Sequence, residues 1–140
     1  MSAPKPAANA LFYSIVPQFA VPDVVSAAEY YREVYGFQIL GYFLDPPIYA
    51  IVRRGAVTIH FGKLDEGAEP APNILRREES IDAYIWVSDL DSVDAELKAR
   101  GAKIVQPPVH QVYNSYEMVV ADPWGFRLAI GMSTVSEPRP

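Results

Sequence analysis

The strongest constraint on this chain is that it repeats itself. "VPDVVSAAEYYREVYGFQIL" begins at Val21, and "VSDLDSVDAELKARGAKIV" begins at Val87. Val21 and Asp23 correspond to Val87 and Asp89, and Gly36 and Ile39 correspond to Gly101 and Ile104. The second copy is one residue shorter within its helix. Identities are few, but the order of signals is the same, which is the signature of a duplicated structural unit.

Each copy reads as strand-helix-strand-strand-strand. Asp23 is a good N-cap, and Val24, Ala27, Ala28, Tyr31, Val34 and Tyr35 recur at helical spacing until Gly36. In the second copy Asp89 or Asp91 caps, Leu90, Val93 and Leu97 form the stripe, and Gly101 ends the helix. The strands before the helices are "YSIVPQFAV" and "IDAYIWV"; those after are "FQILGYFL", "YAIVRRG" and "AVTIHFG", then "AKIVQPPV", "SYEMVVA" and "FRLAIGM". The last is entered through Asp-Pro-Trp-Gly, with Pro123 presetting the first corner and Gly125 closing the turn. The fold class expected is α+β, two βαβββ modules forming a curved mixed sheet. The boundaries are a leader at 1–10, a first module at 11–62, a Pro-rich connector at 63–80, a second module at 81–132 and a tail at 133–140.

One helix covers only one face of a four-stranded sheet, so the other face is left concave, and two such sheets are expected to combine their concave faces into a pocket. Alternation sends Phe19, Val21, Val57, Ile59, Phe61, Ala83, Ile85, Val87, Phe126, Leu128 and Ile130 toward the helices. It sends Val16, Gln18, Thr58, His60, Asp82, Tyr84, Trp86, Arg127 and Ala129 to the hollow. That second set is polar and aromatic, as ligand cavities are. Tyr84 and Trp86 can stack on flat or cationic groups, Asp82 can meet an amine, and Arg127 can meet a carboxylate or phosphate or pair with Asp82. The same positions have bland readings: Trp86 at a seam, Asp82 as a strand-start carboxylate, His60 as a hydrogen-bonded pocket residue. Tyr42, Tyr49, His110, Tyr113, Tyr116 and Trp124 are expected at the pocket rim, with a structural or solvated role as the alternative for His110 and a folded-back ring for Trp124.

Composition narrows the chemistry. The formal charge is -5, from 17 acidic and 12 basic residues, and no basic cluster exceeds a pair. Nucleic-acid binding is therefore disfavoured, while an acidic surface favours cationic ligands or simply solubility. With no Cys there is no thiolate ligand, nucleophile or disulfide. No signal peptide or membrane span is visible, so a cytoplasmic protein is expected. No Gly-rich phosphate loop, nucleophile elbow or His-Glu-x-x-His pattern appears.

"VPDVVSAAEYYREVYGF", "AYIWVSDLDSVDAEL" and "ADPWGFRLAI" together resemble the vicinal-oxygen-chelate superfamily: glyoxalases, ring-cleaving dioxygenases, fosfomycin-resistance transferases and bleomycin-resistance proteins. The resemblance covers about residues 11 to 132. It implies the glyoxalase/bleomycin-resistance fold. Enzymes of this superfamily hold a divalent metal at four positions, which fall near Val16, His60, Asp82 and Ala129. Only His60 and Asp82 carry donors there. Gln18, His60 and Asp82 form an alternative three-ligand set for Zn, Ni, Mn or Fe. The closest pattern is the bleomycin-resistance type, which lacks the metal ligands. By that resemblance the chain is expected to need no cofactor and to sequester an aromatic, cationic antibiotic-like molecule. The cleft would lie at the interface of a module-swapped homodimer. The alternative is a metal-dependent glyoxalase-like lyase or isomerase, or a ring-cleaving dioxygenase, with non-standard ligands. A third reading is a module serving a biosynthetic or regulatory pathway through some other ligand.

Overall fold

A computed structural model describes residues 3–5 and 8–135. The expected leader and tail lie partly outside these residues. The first unit contains β1 (Gln18–Val21), α1 (Val24–Tyr35), β2 (Gln38–Phe43), β3 (Tyr49–Arg54) and β4 (Val57–Lys63). The second contains β5 (Ala83–Trp86), α2 (Leu90–Ala99), β6 (Lys103–Gln111), β7 (Ser115–Ala121) and β8 (Arg127–Ser133). Between them the chain forms loops and one 3₁₀ turn at Asn73–Leu75.

The duplication is complete at the level of topology. The sheets have orders β1-β4-β3-β2 and β5-β8-β7-β6. In each, the first and last strands pair in parallel and the remaining pairs are antiparallel. This is the α+β arrangement of two four-stranded mixed sheets with two helices. No helix among the described residues is long and apolar enough to cross a membrane.

Local chemistry sets the helix ends. The Asp23 carboxylate accepts from Val25 N and Ser26 N, and those bonds hold it below the usual carboxylate range. Asp89, not Asp91, does the same for α2 through Ser92 N. Gly36 stops α1 in the left-handed region at φ 74°.

β1 is shorter than the sequence pattern suggests. Pro17 has no N–H to donate, so the ladder begins only at Gln18, while the Pro17 carbonyl accepts from His60 N. Residues 11–16 lie outside the sheet. In β6, Pro107 and Pro108 are tolerated because the strand lies at a sheet edge and its pairing slips there.

The two units share one continuous core through their helix-side surfaces. Phe19 of β1 stacks on Phe126 beside β8 with centroids 4.5 Å apart. The Tyr31 hydroxyl of α1 donates to Asp122 at 2.8 Å. Arg54 at the end of β3 holds Glu96 of α2 with two hydrogen bonds of 2.7 and 2.9 Å, and Arg100 adds a third at 2.8 Å. Each sheet has more apolar helix-side surface than its own helix covers, and burying the remainder against the other unit removes it from water. The hollow faces lie on the far side of each sheet from this shared core.

Candidate functional site

Strand parity places the candidate residues as their alternation requires. Phe19, Val21, Ile59 and Phe61 are buried in the core, and Ala83 and Ile85 pack against it. Gln18, Thr58, His60, Tyr84 and Trp86 therefore point away from it. The parallel register sets Gln18 opposite His60 and Tyr84 opposite Ala129.

These side chains fall into two groups. Val16, Thr58, Asp82, Tyr84 and Trp86 line a groove of about 500 Å³ at the seam between β4 and β5. Tyr84 and Trp86 form its aromatic wall, with ring centroids 4.5 Å apart and planes tilted by 43°. Trp86 is 49% exposed. Gln18 and Tyr49 line a second hollow of about 620 Å³ with Ile48, Gly62 and Lys63. Here Gln18 Nε2 donates to the Tyr49 hydroxyl at 2.9 Å, and that hydroxyl is hydrogen-bonded to His60 Nδ1 at 2.8 Å.

Asp82 has a structural occupation. Its Oδ1 accepts from Asn73 N and its Oδ2 from Arg127 N, both at 2.8 Å, which pins the connector to the start of β8. Arg127, although on the hollow face by parity, lines a separate cavity of about 320 Å³ with Tyr30, Lys103 and Asp122.

The expected rim divides by face. Tyr49 and Tyr113 lie on the hollow side. Four others do not, and their rim assignment is corrected. Tyr42 sits opposite the buried Ala50, so it shares the α1 side of the first sheet. Tyr116 donates to Asp91 of α2 at 2.6 Å, and His110 stacks on it at 4.4 Å, so both occupy the α2 side. Trp124 packs edge-on against Tyr30 of α1 at 6.0 Å. In each case an even-numbered step along a strand, or a turn folded onto a helix, carries the ring to the apolar side.

The hollow face of the second sheet contains residues that sequence reasoning did not single out. Glu117 of β7 is buried, 5% exposed, and faces the hollow. The Tyr84 hydroxyl donates to its Oε2 at 2.5 Å and lies 2.5 Å from Ser115 Oγ, which itself donates to Oε2 at 3.1 Å. The Tyr113 hydroxyl donates to Oε1, and this bond pushes its own proton affinity up, to about 12. Gly131 makes room: a Cβ there would run into the Tyr84 hydroxyl and approach Glu117 Cβ to 2.9 Å. The alternation of "SYEMVVA" carried the signal, since Ser115 and Glu117 alternate with the core residues Met118 and Val120.

The glyoxalase/bleomycin resistance protein/dioxygenase superfamily profile matches residues 15–130. The chain belongs to this superfamily. No curated protein matches its sequence at a significant level. Among solved structures, TioX from Micromonospora sp. ML1 is similar at 21% identity and a TM-score of 0.68, covering 87% of this chain and 99% of that one. A glyoxalase-related enzyme from Clostridium phytofermentans matches at 14% identity and a TM-score of 0.71, covering 91% and 99%. A bleomycin-binding protein complexed with bleomycin matches at 19% and 0.68, covering 87% and 99%. These likenesses establish the glyoxalase/bleomycin-resistance fold.

Enzymes of the superfamily use a divalent metal, and the donor set here does not fit one. Val16 and Ala129 have no ligating atom, and both Asp82 oxygens are engaged by backbone N–H groups. Gln18 and His60 are bonded to Tyr49 rather than brought to Asp82. Among the described residues no three His, Asp or Glu side chains gather as a metal-binding group.

Proposed function

We propose that this superfamily member is a metal-independent small-molecule-binding protein, taking an aromatic, cationic ligand in a cleft completed by a second copy of the chain. The observation that carries this reading is the paired Tyr84 and Trp86 wall lining a groove of about 500 Å³. Flat rings held on a strand stack on a flat or cationic ligand with little loss of their own freedom. The chain's net charge of -5 favours a cationic partner. The bleomycin-binding protein, with the same fold, supplies a precedent for such a ligand.

Two features support the second copy. Leu11, Phe12, Tyr13 and Ile15 are each at least 84% exposed, an apolar stretch that the described residues leave uncovered. Among the described residues the two hollow faces share the groove that Thr58, Tyr84 and Trp86 line, and a second copy would bring the rest of one face against the other. A module-swapped homodimer meets both needs.

Metal analysis of protein purified without chelators separates this reading from a metal-dependent lyase, isomerase or dioxygenase. The expected result is a substoichiometric metal content, unchanged in His60→Ala. One Zn, Ni, Mn or Fe per chain, lost in His60→Ala, would replace the binding-protein reading with the enzymatic one.

A further inference from the structure

Glu117 is an anomaly in a protein with few buried charges. Its carboxylate lies beneath the hollow face, and among the described residues no Lys, Arg or His forms an ion pair with it. Among the described residues its hydrogen-bond partners are the hydroxyls of Tyr84, Ser115 and Tyr113. A carboxylate buried without a counter-charge is costly, and neutral donors offset only part of that cost.

The three hydroxyls are not equivalent. Tyr84 and Ser115 stand on strands, and the Tyr84 ring crosses β8 through the gap that Gly131 leaves. Tyr113 belongs to the turn between β6 and β7, next to Asn114 at φ 61°, and is 60% exposed. It covers Oε1 from the solvent side. Tyr84, bonded to Oε2, is the same ring that forms the groove wall with Trp86.

We propose that Glu117 Oε1 is the acceptor for a cationic N–H group of the ligand, an amidinium or protonated amine, with the Tyr113 hydroxyl holding that place until the ligand displaces it. Tyr84 fixes the carboxylate and Trp86 flanks the bound cation. This rests on reading the groove as a small-molecule site. It also moves the cation-binding role from Asp82, whose oxygens are committed to the backbone, to a residue of β7, two strands along the sheet from β5.

Benzamidinium is a suitable probe, with neutral benzamide as its uncharged counterpart, each titrated by calorimetry into the full chain. The wild type should bind benzamidinium at least about tenfold more tightly than benzamide, as expected when a charge-assisted bond replaces a neutral one. Glu117→Gln should abolish that preference and leave benzamide binding unchanged. Tyr113→Phe, which removes the competing hydroxyl while keeping the ring, should tighten benzamidinium several-fold and serves if the Gln variant does not fold. Equal binding of both probes to wild type, or a preference that neither variant alters, would overturn the assignment to Glu117 but leave the groove reading intact. Binding of neither probe would overturn both.

Discussion

At the level of single residues, position within a strand decided what was legible. His60, Tyr84 and Trp86 were placed correctly by alternation because each lies within an uninterrupted strand whose neighbours are strongly apolar. Glu117 obeys the same rule, but a lone carboxylate in a strand looks solvent-exposed until the hydroxyls around it are seen. Asp82 shows the converse: it carries a metal-binding residue type, yet the nearby Asn73 and Arg127 N–H groups take up its oxygens. Asp122 is a further carboxylate with a definite consequence. Burial pushes it up, from its ordinary 3.8 to about 6, against the bonds from Tyr31, Phe126 and Trp124 that favour its charged form. Because the folded value is raised, its contribution to stability is largest below about pH 4 and is lost as the pH rises through about 6. Across that whole range the protonated carboxyl stabilises the fold by about 3 kcal/mol. Roughly two-thirds of this falls between pH 4.5 and pH 7.5. Asp122→Asn should therefore gain about 2 kcal/mol on wild type when urea midpoints at pH 7.5 are compared with those at pH 4.5. Parallel pH profiles for the two proteins would show that Asp122 does not titrate in this range.

At the level of elements, caps and turns were readable and strand ends were not. Asp23, Asp89, Gly36 and the Asp-Pro-Trp-Gly turn act through bonds within a few residues of chain, so local sequence states them fully. Where β1 begins, by contrast, depends on which β4 groups lie opposite, and Pro17 is compatible with either answer. The two helix-terminating glycines offer a controlled comparison. Gly36 and Gly101 both have positive φ, at 74° and 87°. A Cβ at Gly101 would meet nothing, whereas one at Gly36 would come within 2.8 Å of Arg54 Nη1, in the clasp that joins β3 to α2. Gly101→Ala should cost about 1–2 kcal/mol for the left-handed backbone alone. Gly36→Ala should cost clearly more in the same urea titration, because the guanidinium must also move. Equal losses would mean that the clasp contributes nothing to holding the units together.

At the level of the whole molecule, duplication made the fold legible, because two copies of one pattern constrain each other. The relation between the copies was not legible. Both sheets have apolar helix sides, and alternation within a strand says nothing about which surface meets which. The structure brings the helix sides together through Phe19 and Phe126, while the Tyr49 hollow and the Tyr84 groove have separate linings. If a second copy joins them, sedimentation equilibrium at micromolar concentration should return the mass of two chains, and removing residues 1–16 should shift it toward one. A full-length monomer would leave the cleft without its second wall. The central claim is that the Tyr84 and Trp86 wall binds an aromatic cation without a metal. It is tested most directly by titrating bleomycin into a Trp124→Phe variant in excess chelator while following the remaining Trp86 fluorescence. Saturable quenching at micromolar ligand, lost in Tyr84→Ala, is expected; no quenching, or quenching that requires added divalent metal, would contradict it.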